Sequence, residues 1–348
     1  METKIVALCD YKGRFGSKDN DCPYRSGMDK QILKSEFNKH KREIQFLRLK
    51  DAYKLSSKDG VILYTSQEDI DYKYKDYIED VINYLSVKGC CLIPDFKYLR
   101  SNNNKVFMEF LRTELLTEEY QLQSFSYGCL EEAVEERSLG YPVVVKAAKG
   151  ASGSGVFLAK DECELISCVK QVSKTRNISK EIRDILRSIK HKGYIRESKH
   201  RERFILQRFI PNLANDWKVY VFWDKLFVFY RPVLKKRKFK ASGGGYDNYF
   251  YGRDAKIPDG LLDYALIARQ QLDVPNVSLD IAYDGKRFYL VEFQCLYFGT
   301  AGILRSRHFF QKMRGEWLAV ENKESVESAY AYSLAMFLSK QVSPQVES

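Results

Sequence analysis

One stretch narrows the choice of fold more than any other. Residues 141–162 read YPVVVKAAKGASGSGVFLAKDE: a β-rich run ending in Lys146, a turn of small residues, a second β-rich run, then a helical pattern. Small residues let backbone N–H groups come close to phosphate oxygens, and a lysine at a strand end adds a point charge. Three familiar glycine loops can be excluded. The P-loop requires Gly-Lys-Ser/Thr, which does not occur, and the dinucleotide fingerprint runs into a helix where a strand follows here. The hydrolase elbow G-x-S-x-G fails at Ser154. What remains is a glycine-rich β-hairpin that covers phosphates as a lid, with an ordinary flexible hairpin as the plain alternative.

A second feature lies downstream. Asp280 stands in SLDIAY, and Glu292 and Gln294 stand in LVEFQ. Residues two apart on a strand share a face. The Asp284-Gly285 pair predicts a hairpin that brings Asp280 alongside them. Two carboxylates and an amide oxygen suit Mg²⁺, or Mn²⁺ in its place, a hard cation shared with phosphates. Taken alone, the solvent-facing side of an antiparallel pair is the simpler reading; a phosphate-type loop in the same chain lowers its weight.

Around these features the chain reads as α/β. KIVALC, GVILYT and CCLIP are short β-rich runs, and residues 74–89 carry apolar residues at helical spacing up to Gly89. This alternation predicts a small, open, mostly parallel sheet. SNNNK offers Ser101 or Asn104 as a cap for the helix KVFMEFLRTELL. A helix follows the glycine-rich hairpin, then a charged helical insert over about 174–200. Strands ERFILQRFI, DWKVYVFWD and KLFVFYRPVL come next, the last two joined by a turn at Asp224-Lys225, and helices are expected near 259–272 and 325–340.

At 348 residues the chain suits two or three packed lobes. Eight cysteines without a C-x-x-C pair read as free thiols in a reducing compartment. The opening METKIVALCD meets Asp10 at once, as a first strand does, and no apolar run reaches the roughly 20 residues of a bilayer span. A cytoplasmic location and no membrane partner are the expectations. The net charge of +11 could steer anionic substrates or nucleic acid. Much of it lies in 170–208, where Glu181, Asp184, Glu197 and Glu202 are interspersed, which reads as a solvated face and disfavours nucleic acid.

Together these residues resemble the ATP-grasp superfamily, with the glutathione-synthetase-like and ribosomal-protein-glutamylating ligases the nearest in flavour. The resemblance covers about residues 95–310. It implies an α/β domain over 1–100 ahead of the grasp, then a first lobe over 101–210 with the glycine-rich lid and charged insert. A second lobe over 211–348 would carry the metal site and the C-terminal helix, the two lobes clasping ATP. Carried over by position, Lys105 resembles the first ATP lysine and Lys146 the second. Gly150, Ser152, Gly153 and Gly155 would form the lid, and Gln207, Phe209 and Ile210 the adenine hinge. Asp216 and Lys218 resemble a D-x-R strand start, with lysine replacing the usual arginine. Arg231 resembles the arginine on the γ-phosphate and acyl phosphate, and Asp280, Glu292 and Gln294 the metal set, with Gln where Asn is usual. Lys240, Ser242 and Gly243 occupy the substrate loop, where the departure from Arg-x-Asn leaves the acceptor undecoded.

The activity implied is ADP-forming carboxylate–amine ligation with Mg²⁺. An acyl phosphate forms from a carboxylate and ATP, and an amine then attacks it, catalysed by positioning and charge neutralisation at Lys146 and Arg231. The carboxylate could belong to an amino acid, a peptide, a protein tail or a glycan. A kinase on the same fold and a basic nucleic-acid-binding module are the alternatives. Oligomeric state is open, a homodimer being common in the family.

Overall fold

The structure is a computed structural model that describes residues 4–18, 26–67, 69–135, 140–150, 153–175, 177–234, 241, 243 and 245–342. It divides into two compact units. Unit 1 comprises residues 1–102, 115–120 and 213–348, and unit 2 comprises 103–114 and 121–212.

The first segment of unit 1 is a parallel sheet. Strands β1 (Ile5–Cys9), β2 (Ile44–Arg48), β3 (Val61–Leu63) and β4 (Cys91–Ile93) pair in the order β2-β1-β3-β4, every pair parallel. Both faces of β1 are covered. Ile5, Ala7 and Cys9 enter one core, which includes Leu33 and Phe37 of α1 (Lys30–Lys39). Val6 and Leu8 enter another, with Ile78, Ile82 and Leu85 of α2 (Lys73–Val87). A parallel sheet with helices on both faces needs an apolar run such as IVALC rather than strict alternation. Asp29 caps α1 by accepting from Gln31 N and Ile32 N at 2.8 and 3.0 Å. Beyond α2, Gly89 takes the left-handed φ of +73° that ends such helices. Helix α3 (Phe96–Ser101) closes the segment.

Unit 2 opens on α4 (Lys105–Leu115), where Asn104 Oδ1 accepts from Phe107 N at 3.3 Å. Ser101 instead ends α3, its hydroxyl donating to Tyr98 O. The unit's sheet contains β5 (Ser124–Tyr127), β6 (Val143–Ala147), β7 (Val156–Ala159) and β8 (Phe204–Arg208), in the antiparallel order β5-β8-β6-β7. Helix α5 (Leu130–Glu135) follows β5, and α6 (Glu162–Val172), capped by Asp161, follows β7. Val143, Val145, Phe204 and Leu206 form the core with Val169 of α6. The alternate residues, Val144 and Lys146, turn to the other face. Helix α7 (Ile178–Lys190) lies in the insert between α6 and β8.

Unit 1 resumes with β9 (Asn215–Phe222), β10 (Lys225–Pro232) and the short β11 (Phe250–Tyr251). After α8 (Leu261–Leu272) come β12 (Asn276–Tyr283), β13 (Phe288–Gln294), α9 (Ala301–Arg305), β14 (His308–Met313), β15 (Glu316–Glu321) and α10 (Val326–Val342). The sheet runs β13-β12-β9-β10-β14-β15, with β11 on β10. The turn between β9 and β10 is centred on Trp223-Asp224, one residue earlier than the sequence suggests, because Phe222 pairs with Lys225. Tyr220, Phe222, Phe227 and Phe229 share a core with β1, α1 and α10.

Candidate active site

In unit 2 the alternation of β6 decides which side chains face the site. Lys146 Nζ donates to Gln207 Oε1 at 2.5 Å, and Gln207 is 2% exposed. The register places Gln207 opposite Val144, so it stands diagonal to Lys146 on one face. Gln207 Nε2 is buried and finds no partner among the described residues. Such a donor is costly to leave dry, so it is a point at which an arriving acceptor gains. Lys105 Nζ donates to Gly150 O at 3.0 Å, and Lys105 N to Ala148 O at 3.0 Å. Both lysines are 8% exposed.

The loop between β6 and β7 needs its glycines. Gly150 and Gly153 have φ of +123° and +70°. A Cβ on Gly155 would stand 2.8 Å from Ala147 Cβ, in a turn where Ala147 N donates to Gly155 O at 2.8 Å. Ser152 lies outside the described residues, as do Lys240 and Ser242 of the substrate loop. Phe209 is half-buried and Ile210 buried just beyond β8, and Gly243 has φ of +78°.

In unit 1 three strands line up a charged row. Lys218 of β9 pairs in register with Asp280 of β12, and Asp280 with Glu292 of β13. Ser278 pairs with Gln294, so the two carboxylates and the amide share one face. A bulge between Asp280 and Ile281 follows at once. Arg231 of β10 grips Asp216 with Nε to Oδ1 at 2.6 Å and NH2 to Oδ2 at 2.7 Å, while NH2 also lies 2.8 Å from Asp280 Oδ2. Lys218 Nζ donates to Asp280 Oδ1 at 2.6 Å. Burial pushes the Asp280 carboxyl up, but Arg231 and Lys218 outweigh it and hold it well below the ordinary carboxylate value. Asp216, sharing the same arginine, is pushed up by burial against the pull of Arg231.

Among the described residues no group of three or more His, Cys, Asp or Glu side chains gathers to cage a metal. The set on β12 and β13 is two carboxylates and one amide, with the buried Ser278 hydroxyl beside them unpartnered. That composition fits Mg²⁺ completed by water and phosphate oxygens, not a closed protein cage.

Sequence reasoning passed over a second polar group in unit 1. Asp10, Thr65 and Ser66 are buried just past the carboxyl ends of β1 and β3, where open α/β sheets bind ligands. Nearby is a cavity of about 30 Å³ touched by Ser17, Thr65, Asn276, Cys295, Thr300 and Tyr330. Glu327, at 0% exposure, accepts from Lys18 Nζ and Asp29 N at 2.8 Å each. Single polar residues inside apolar runs carry no spacing signal, so nothing in the sequence marks them.

Residues 120–202 match the family model of the carbamoyl-phosphate synthase L chain, ATP-binding domain. No curated protein matches the chain in sequence. D-cycloserine synthetase DcsG is similar in structure at 11% identity, over 96% of this chain and 99% of that one, with a TM-score of 0.54. An ATP-grasp RimK domain protein from Sphaerobacter thermophilus aligns at 14% identity over 95% and 98%, TM-score 0.47. D-alanine–D-alanine ligase from Bacillus anthracis aligns at 13% over 97% of each chain, TM-score 0.48.

Proposed function

From the premise of an ATP-grasp fold, we propose that this protein is an ATP-dependent carboxylate–amine ligase working through an acyl phosphate. The observation that carries the reading is the pair of lysines, Lys105 and Lys146, both buried beside a glycine-rich hairpin and donating to Gly150 O and Gln207 Oε1. These are groups suited to polyphosphate, and Lys146 lies in the segment that matches an ATP-binding domain. The printed functions of structural relatives, a D-alanine–D-alanine ligase and a D-cycloserine synthetase, agree with ligation.

In this reading Lys105 and Lys146 take phosphate oxygens, and the free Nε2 of Gln207 donates to a ring nitrogen of the base. Phe209 and Ile210 supply apolar contact to that base, and Gly150, Ser152, Gly153 and Gly155 bring backbone N–H groups to the phosphates. Glu292, Gln294 and Asp280 would hold Mg²⁺, which supplies neutralisation of phosphate charge. Arg231 is oriented by Asp216 to meet charge on the transferring phosphoryl group, and Lys218 releases Asp280 as ligands arrive. A carboxylate oxygen attacks the γ-phosphorus, ADP leaves, and an amine then adds to the acyl carbonyl and expels phosphate. The side chains position and neutralise, and none acts as a nucleophile. Residues 1–100 and the loop of Lys240, Ser242 and Gly243 are the proposed selectors of the acceptor.

The test is ADP release by purified protein with Mg·ATP and pooled carboxylates and amines, against Glu292→Ala. Release that requires both pools and vanishes in the variant is the expected result. Release with one pool alone would assign a kinase instead.

A further inference from the structure

Helix α7 is amphipathic in the wrong sense for a helix that packs on its own unit. Ile178, Ile182, Ile185, Leu186 and Ile189 recur at spacings of four, three, one and three, which gathers them within an arc of roughly 100°. Such an arc ordinarily faces a core. Here all five are exposed, from 41% at Ile185 to 77% at Ile189, and Ile195 just beyond the helix is 87% exposed.

The polar side is the one turned inward. Asp184, 9% exposed, accepts from Tyr194 Oη at 2.7 Å, Arg196 Nε at 3.3 Å and Glu197 N at 3.4 Å. Glu181 pairs with Lys199 at 3.7 Å. Beside the helix lies a cavity of about 290 Å³ of mixed charge, where Arg196, Lys199 and Arg201 stand with Glu181, Asp184 and Glu197. Arg196 and Lys199 of the following loop take the acidic side of the helix, Asp184 and Glu181, and leave its aliphatic side to solvent.

The sequence reading of 170–208 as a solvated charged face therefore does not describe the outer side of α7. We propose that α7 is an interfacial helix that docks unit 2 onto an anionic lipid surface. Its aliphatic ridge enters the acyl boundary, while Arg183 and Lys190, which border the ridge on the helical wheel, meet headgroup phosphates. Charge and shape choose this occupant. A nucleic acid would use the cations and leave five aliphatic side chains wet. An antiparallel second copy would set one basic flank against another. A peptide helix needs a groove, whereas α7 offers a single convex ridge. The proposal assigns a peripheral contact, needs no spanning segment, and is independent of the ligase reading.

The experiment is co-sedimentation of the full chain with phosphatidylcholine vesicles, with and without phosphatidylglycerol, for wild type and Ile182→Glu/Leu186→Glu. Both positions are exposed, so an unchanged melting curve and circular dichroism spectrum accompany the variant. Wild type should prefer the anionic vesicles, and the double variant should bind them roughly tenfold or more weakly. Undiminished binding by the variant would reduce the effect to bulk charge and overturn the proposal, as would failure of wild type to bind. A wild-type dimer that becomes monomeric in the variant, without vesicle binding, would assign the ridge to a second copy. Binding of an acidic amphipathic peptide in place of vesicles would assign it to a protein partner. Either result overturns the lipid assignment.

Discussion

Arg231, 5% exposed, neutralises two aspartates that would otherwise face each other across β9 and β12. Breaking a buried pair by removing one partner costs about 3–5 kcal/mol, because the remaining charge stays desolvated. Arg231→Met should lower the unfolding free energy by an amount near that range, discounted for the 14–15% exposure of the aspartate side chains. Asp216→Asn in the same background should restore part of the loss. Urea denaturation of the two variants measures both, and an Arg231→Met protein as stable as wild type would show that the network is not a stabilising one. Lys146 makes a different case. Its Nζ donates to a neutral partner, Gln207 Oε1. In Lys146→Met, nucleotide affinity by calorimetry should fall roughly 10- to 100-fold, the loss of one charge-assisted contact.

At the scale of elements, α9 is set by one glycine. A Cβ at Gly302 would lie 2.4 Å from Phe229 Cε1 and 2.8 Å from Tyr220 Cε2, two rings buried in the core of unit 1. Those rings cannot retreat, so Gly302→Ala should cost about 1–3 kcal/mol by overpacking, read as a lower melting temperature. Nothing in CLYFGTAGILRS announces that approach, and the contrast with what was legible is instructive. The hairpin of β12 and β13 could be read because Asp284-Gly285 sits between two alternating runs, and Asp284 Oδ1 does accept from Lys286 N and Arg287 N. That pairing brought Asp280 and Glu292 into register from pattern alone. The β14–β15 hairpin escaped notice. Its two-residue turn is Arg314-Gly315, both with positive φ (50° and 90°), and arginine in the first place hides a turn usually marked by Asn or Asp. Strand β2 escaped because IQFLR is flanked by charge and half exposed. Lysines at strand ends, glycine turns and same-face carboxylates leave a spacing signal. Ser278, Asp10 and Glu327 act through burial, which only the fold confers.

At the scale of the whole chain, the first and last segments meet in unit 1, and His40 sits where they do. It ends α1 and lies 6.1 Å, centroid to centroid, from Tyr332 of α10. Burial acts first on it, disfavouring the imidazolium. Lys225 of β10 and Lys39 act in the same direction, and Glu36 and Glu324 oppose them. The net result places its pKa below the ordinary 6.5. In the unfolded chain the ring binds a proton near pH 6.5, whereas in the fold it waits for a lower pH. Between those two values the unfolded state holds more protons, so stability falls as pH falls through the window. The contribution is complete above pH 6.5 and is lost progressively below it. Chemical denaturation midpoints should therefore decline between about pH 7 and about pH 5, and His40→Gln should decline less steeply over the same range. The glutamine retains polarity without a titrating group, so a change confined to slope identifies His40 as the source. A variant with the wild-type slope would place the pH sensitivity elsewhere, and the closure of the first segment on the last would then be indifferent to this histidine.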